Sequence, residues 1–263
     1  IKGVAVSPLN ESNWVVLMDD RSASWSGIDQ RFVNKIQELY NDGYELKSFT
    51  FANGKQNTVD VLAGSNKDEA NFGICPGAGL AGRGGPAGTL ESLKTGATRR
   101  FGEMADEYLK LYPAMTEADA QRALHEACAD EINWNMRQFA AAQAKQGKKG
   151  YAYFFTRVQT VNGAPSPAGA THTAEISFAW NNPKGQATQT WNDVDIKLAD
   201  QMSSYWMNFV ATGDPNGKGL PQWPAFTDAN QSVMVFDAAP SARPYPVLDK
   251  VKLLDPYYDR LRK

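Results

Sequence analysis

The sequence predicts an α/β fold, on three observations. Short β-branched or aromatic runs occur at 13–20, 58–63, 150–161 and 231–237, most of them ended by Gly, Asn, Asp or another chain breaker. Between them lie long segments with apolar residues at helical spacing, above all 89–146 and 194–214. Carboxylates follow the run at 58–63 directly, and a histidine lies in the loop beyond the run at 150–161. Ends of strands are where α/β enzymes gather their chemistry.

Residues 1–56 read as a mixed stretch. "NWVVLMDD" (13–20) has the apolar centre and acidic end of a short strand. In "IDQRFVNKIQELYNDGY", Phe32, Ile36 and Tyr40 keep helical spacing, and Asn41–Asp42–Gly43 ends the helix. "YELKSFTFANG" then alternates like a strand. At 58–63 the β-branched run Val59, Val61, Leu62 predicts a strand that Gly64–Ser65–Asn66 breaks, which leaves Asp68 and Glu69 in the loop beyond it. The Gly-rich stretch 73–88 reads as a loop, and 89–146 as largely helical. There "MADEYLKLY" stops before Pro113, Thr116 and Asp119 stand in capping-box positions, and Gly147 closes the segment. "GYAYFFTRVQTV" (150–161) is an aromatic strand. A Pro/Gly/Ser loop and the turn around His172 follow. In 194–214 the face Leu198, Met202, Tyr205, Trp206, Phe209 and Val210 is apolar and Gly213 is the stop. "QSVMVFD" (231–237) is the last strand read.

Composition narrows the function classes. The chain has 263 residues, a formal charge of −2 and 42% hydrophobic residues. That is enough for one sizeable core without a disulfide scaffold. A sequence pI of about 5.8 gives no argument for nucleic acid or an anionic membrane surface, so neither is expected as a partner. No run of eighteen apolar residues predicts a spanning helix. The chain opens at Ile1 and not at Met, so the lack of a visible leader says nothing about compartment. The cysteines are Cys75 and Cys128, and their spacing leaves a bridge open.

Several residues invite chemistry. His125 and Cys128 lie three apart on a predicted helix, a thin start for a metal site, and no metal is expected. Gly77–Ala78–Gly79–Leu80–Ala81–Gly82 spells G-x-G-x-x-G, but inside a longer Gly/Pro loop and not between a strand and a helix, so no dinucleotide cofactor is expected. Trp206, Trp223 and Tyr205 read as core. Phe178 and Trp180, close behind His172, are the better candidates to line a pocket, with packing as the default. A serine-type hydrolase needs a nucleophile, a histidine base and an acid that orients it. In α/β-hydrolases these come in the order Ser, acid, His, each on a loop after a strand. Glu69 and His172 stand in that order, with the helical segment between them as an insertion.

On these residues the chain resembles the type-B carboxylesterases, the cholinesterase-like family. "GSNKDEANFG" resembles the family's acid loop and "GATHTAEISFAW" its histidine loop. "LADQMSSYWMNFVATGDPNGKGLPQWPAF" (198–226) is similar to its C-terminal helix and the GDPN…WP segment. The resemblance covers about residues 55–263. It implies the C-terminal portion of an α/β-hydrolase fold and serine-type hydrolysis of a small carboxylic ester without a cofactor. It implies Glu69 as the catalytic acid, His172 as the base and Glu175 as an acid that holds the histidine loop. Asp68 falls to a loop-shaping or capping role. Ala70 stands where the family usually has Gly.

The departures are as informative. No G-x-S-x-G and no HGGG-like oxyanion segment occurs, so the nucleophile is unassigned. In the family both lie well upstream of the acid loop. Residues 1–56 match poorly and read as a divergent segment, a separate module or a fusion, ahead of a carboxylesterase portion at 57–263. The expectation is an ester hydrolase whose acid and base lie here and whose partner is the N-terminal half of such an esterase. A non-catalytic binding relative and an inactive fragment or fusion remain the alternatives. The resemblance slightly favours a secreted or periplasmic location.

Overall fold

The structure is a computed structural model that describes residues 2–7, 14–18, 45–47, 58–69, 88–182 and 189–261. The helix expected at 28–43, most of the Gly-rich loop with its 77–82 motif, and Ala70 lie outside these residues.

One sheet organises the chain. Its strands are β1 (Lys2–Ser7), β2 (Trp14–Met18), β3 (Glu45–Lys47), β4 (Asp60–Asn66), β5 (Gly150–Phe155), β9 (Ser232–Phe236) and β10 (Ser241–Pro244). The seven lie in the order β10-β9-β5-β4-β2-β1-β3. The centre β2-β4-β5-β9 is parallel, while β1, β3 and β10 run antiparallel to their neighbours. The expected strand around 13–20 therefore joins the same sheet as the acid strand, with Val15 opposite Val61. A small second sheet joins β6 (Thr160–Val161), β7 (Ala164–Pro165) and β8 (Gln189–Thr190).

Among the described residues the α-helices are α1 (Leu90–Phe101), α2 (Ala105–Leu111), α3 (Glu117–Lys145), α4 (Ile176–Ala179), α5 (Asp193–Thr212) and α6 (Leu248–Leu261). Thr116 and Asp119 form the expected capping box at the start of α3: Asp119 N donates to Thr116 Oγ1 at 3.1 Å and Thr116 N to Asp119 Oδ2 at 3.0 Å. Gly147 and Gly213 take positive φ, +75° and +73°, just beyond α3 and α5, as helix-ending glycines do.

Alternation along the strands builds an α/β/α sandwich. Tyr151, Tyr153, Phe155, Met234 and Phe236 pack against Leu198, Met202, Tyr205, Trp206 and Phe209 of α5. Ala152, Phe154, Val233 and Val235 share the opposite face with Ala140 and Ala141 of α3, where Val61 and Ala63 meet Phe139. Every residue of β5 is buried, as befits a central parallel strand covered on both sides. Trp206, Trp223 and Tyr205 are core, as read.

Three expectations are corrected. Gly64–Ser65–Asn66 does not break the acid strand but forms its last residues. Gly64 is needed there because a Cβ would meet the Tyr153 carbonyl oxygen at 2.3 Å. The strand expected over 150–161 stops at Phe155, and Arg157 turns away to pair with buried Asp195 at the start of α5, Nε to Oδ1 2.7 Å. The chain also continues beyond the last expected strand, through β10 and α6.

Candidate active site

β4 and β5 are adjacent and parallel, so their carboxyl ends open on the same side of the sheet. The acid loop leaves β4 there and the segment leading to the histidine loop leaves β5. Backbone bonds hold the loops together: Lys67 N donates to Phe155 O at 2.9 Å and Asp68 N to Ala170 O at 3.0 Å. Asp68 Oδ2 accepts from Ala170 N at 2.8 Å, and Asp68 bridges Thr171. Asp68 thus shapes a loop, and the loop it ties down is the histidine's.

Gly169 makes this latch possible. Its φ is +74°, and a Cβ there would lie 2.1 Å from Asp68 Oδ2. Gly169→Ala is expected to cost about 2 kcal/mol or more, combining left-handed backbone strain with overpacking. Thermal melts of the two proteins check this, and an unchanged midpoint would remove the latch from the account.

The latch brings Glu69 and His172 together. His172 Nδ1 lies 2.7 Å from Glu69 Oε2. Glu69 is 5% exposed, while the His172 side chain keeps 23% of its surface. Glu69 Oε1 accepts from Asn66 N at 2.7 Å, so both carboxyl oxygens are engaged. A carboxylate only accepts, so Nδ1 carries the proton and Nε2 is the basic nitrogen of the ring. This is the tautomer that a general base requires. The residue after the histidine, Thr173, has φ +71°, a costly value for a β-branched side chain.

Glu175, at the start of the short helix α4, accepts a hydrogen bond from the Asn66 amide. Burial pushes its carboxyl up from the ordinary 4.5 to about 7; nearby Glu69 adds to the rise, and the Asn66 bond opposes it. The folded value lies above the unfolded one, so this contribution to stability is fully present below 4.5 and is lost as pH rises through about 7. The wild type is expected to lose on the order of 1–3 kcal/mol over that window, and Glu175→Gln to flatten the loss. Urea midpoints across pH measure it. A slope unchanged in Glu175→Gln would assign the effect to another group.

The remaining candidates separate from this site. Phe178 is fully buried, stacked on Trp191 at 4.5 Å and tilted against Phe155, and Trp180 is 6% exposed in the same core. Both follow the packing default. Cys128 is buried and disulfide-bonded, while His125 is exposed. Cys75, the other cysteine, lies outside the described residues. Among the described residues no cluster of His, Cys, Asp and Glu could hold a metal, and no helix is long and apolar enough to cross a membrane. Asn66 was missed by sequence reading, because Gly64–Ser65–Asn66 looked like a breaker. The available signal was an amide three residues ahead of the acid.

Comparison with known proteins adds a family. The profile described as the carboxylesterase family matches residues 28–251. Over 206 residues the chain is 29% identical to fumonisin B1 esterase from Sphingopyxis macrogoltabida, covering 74% of this chain and 36% of that protein. It is 35% identical to acetylcholinesterase from Gallus gallus over 103 residues, 39% of this chain and 13% of the relative. It is 36% identical to carboxylesterase 5A from Mus musculus over 80 residues, 29% and 14% of the two chains. The matches span 36% or less of each of these relatives.

Proposed function

Because this chain belongs to the carboxylesterase family, we propose that it carries the acid and the base of a serine-type carboxylic ester hydrolase. Its mixed sheet with helices on both faces is a partial α/β-hydrolase fold. The observation that carries the reading is the 2.7 Å contact between Glu69 Oε2 and His172 Nδ1. Burial of Glu69 beside a partly exposed imidazole supports it. A purely adhesive relative has no chemical need for an imidazole so held.

In the proposed mechanism a serine oxygen attacks the ester carbonyl carbon while His172 Nε2 takes the serine proton. Glu69 stabilises the imidazolium that forms. The tetrahedral intermediate collapses, the carbon–oxygen bond to the alcohol breaks, and His172 returns the proton to the leaving oxygen. Water repeats the sequence on the acyl-enzyme with the same base, releasing the carboxylic acid and restoring the serine. The serine belongs to a G-x-S-x-G elbow in the family, a motif that this sequence does not contain. The proposed partner is therefore a segment that bears the elbow and the oxyanion donors, and the proposed substrate a small carboxylic ester. The disulfide at Cys128 supports an oxidising compartment, in keeping with a secreted or periplasmic protein.

Intact mass after treatment with a fluorophosphonate tests the reading. The chain alone is expected to stay unlabelled. Addition of an elbow-bearing N-terminal segment from a family member is expected to give an adduct on that segment's serine, lost in His172→Ala. An adduct on the chain alone would show an activated serine within residues 1–263. Labelling that survives His172→Ala would remove His172 as the base.

A further inference from the structure

We propose that Asn66 is the positioning residue of the Glu69–His172 pair: its backbone places the acid, and its side-chain amide places the loop that carries the base. The proposal rests on the reading of Glu69 and His172 as acid and base.

Asn66 is the last residue of β4 and is fully buried. Its backbone N–H donates to Glu69 Oε1 at 2.7 Å. Its side-chain Nδ2 donates to the Thr171 carbonyl at 2.6 Å and also to Glu175 Oε2. One of these acceptors immediately precedes His172 and the other follows it by three residues, so a single amide brackets the histidine turn. The Thr171 carbonyl sets the amide orientation, because flipping it would put Oδ1 against an oxygen that can only accept. In the observed orientation Oδ1 is buried and has no partner among the described residues. An apolar residue would avoid that orphan acceptor, so packing alone does not explain an amide here. Being on a strand, and not a loop, Asn66 refers both halves of the pair to the main sheet.

The two roles can be separated. Asn66→Ala removes the side-chain clamp but keeps the backbone N–H that holds Glu69. The Asp68 latch also remains, so the histidine loop stays attached while its register loosens. The expected result is a correctly placed acid facing a wandering imidazole.

Nitrogen NMR of the full chain reads this without any turnover. The chain has two histidines. His125, exposed on α3, serves as the reference, and His172→Ala assigns the other signal. At about pH 8, above the ordinary histidine range, wild-type His172 is expected in the Nδ1–H form with a slowly exchanging, downfield Nδ1 proton. Asn66→Ala is expected to lose that proton signal and to shift His172 to mixed tautomers. A lower melting temperature with His172 still held as Nδ1–H would overturn the proposal, since a merely structural role predicts that result. If wild-type His172 itself shows mixed tautomers like a solvated imidazole, the acid–base reading fails, and the proposal with it. Should Asn66→Ala not fold by near-ultraviolet dichroism, Glu175→Gln and Glu175→Ala decide. Gln keeps an acceptor for the amide and is expected to retain the proton signal, whereas Ala is expected to weaken it severalfold. Equal signals in both would overturn the proposal.

Discussion

His172→Ala is expected to lower ester turnover by about four orders of magnitude once an elbow-bearing segment is supplied, and Glu69→Gln by a comparable factor. The losses have different causes. Without His172 nothing takes the serine proton, and a neutral hydroxyl is a weak nucleophile. Without the Glu69 carboxylate the imidazolium loses its charge partner, and Nδ1, 2.7 Å away, faces an amide that no longer dictates the tautomer. The double variant is expected to be little worse than either single one, because the residues act as a unit. Values of kcat/KM on p-nitrophenyl acetate check all three. A loss under tenfold for either single variant would rule out the pair as the acid and base of the reaction.

Trp223→Ala is expected to cost about 3–5 kcal/mol of stability, out of a total of roughly 5–15 kcal/mol for a domain. Trp223 is fully buried behind α5, with its ring centroid 5.3 Å from Tyr205, 5.6 Å from Phe236 and 6.1 Å from both Tyr151 and Trp206. Its Nε1–H donates to the Ala152 carbonyl at 3.1 Å. Truncation leaves a void among rigid rings that cannot close over it, and it strips a buried carbonyl of a donor. Ile196, 51% exposed on α5, is the control: Ile196→Ala is expected to change stability by no more than about 0.5 kcal/mol. Urea unfolding of both variants measures the contrast. A Trp223→Ala loss below about 1 kcal/mol would mean that this cluster is not the packing centre.

The parts of the fold that were legible in advance share one property: their signals are local. The apolar face of α5 repeats every turn, so its period shows without a partner. Thr116 and Asp119 cap a helix by bonding to each other, and Gly147 and Gly213 end helices by their own backbone freedom. Where neighbours decide, the reading failed. Gly64 looked like a breaker, yet it extends a strand because Tyr153 on the adjacent strand leaves no room for a Cβ. Arg157 looked like more strand, yet a buried carboxylate across the chain draws it away. The last helix, α6, went unread; Pro256 interrupts its pattern, and its buried Val251 and Leu254 are explained by packing with α1, α2 and α3.

The same division runs through the site. By itself, the sequence singled out Glu69 and His172 as candidate acid and base, because both sit in short motifs that resemble the acid and histidine loops of one family. It also pointed to the family, whose profile matches residues 28–251, and it contains no G-x-S-x-G motif. Only the tertiary structure decided that the two side chains meet, that Asp68 latches the histidine loop over Gly169, and that Asn66 touches both loops at once. These facts join residues about a hundred positions apart: the Asn66–Thr171 and Asp68–Ala170 bonds span 105 and 102 residues. Separations of that size are bridged by pairing β4 beside β5, and strand pairing is set by burial on both faces of the sheet, which no single motif records.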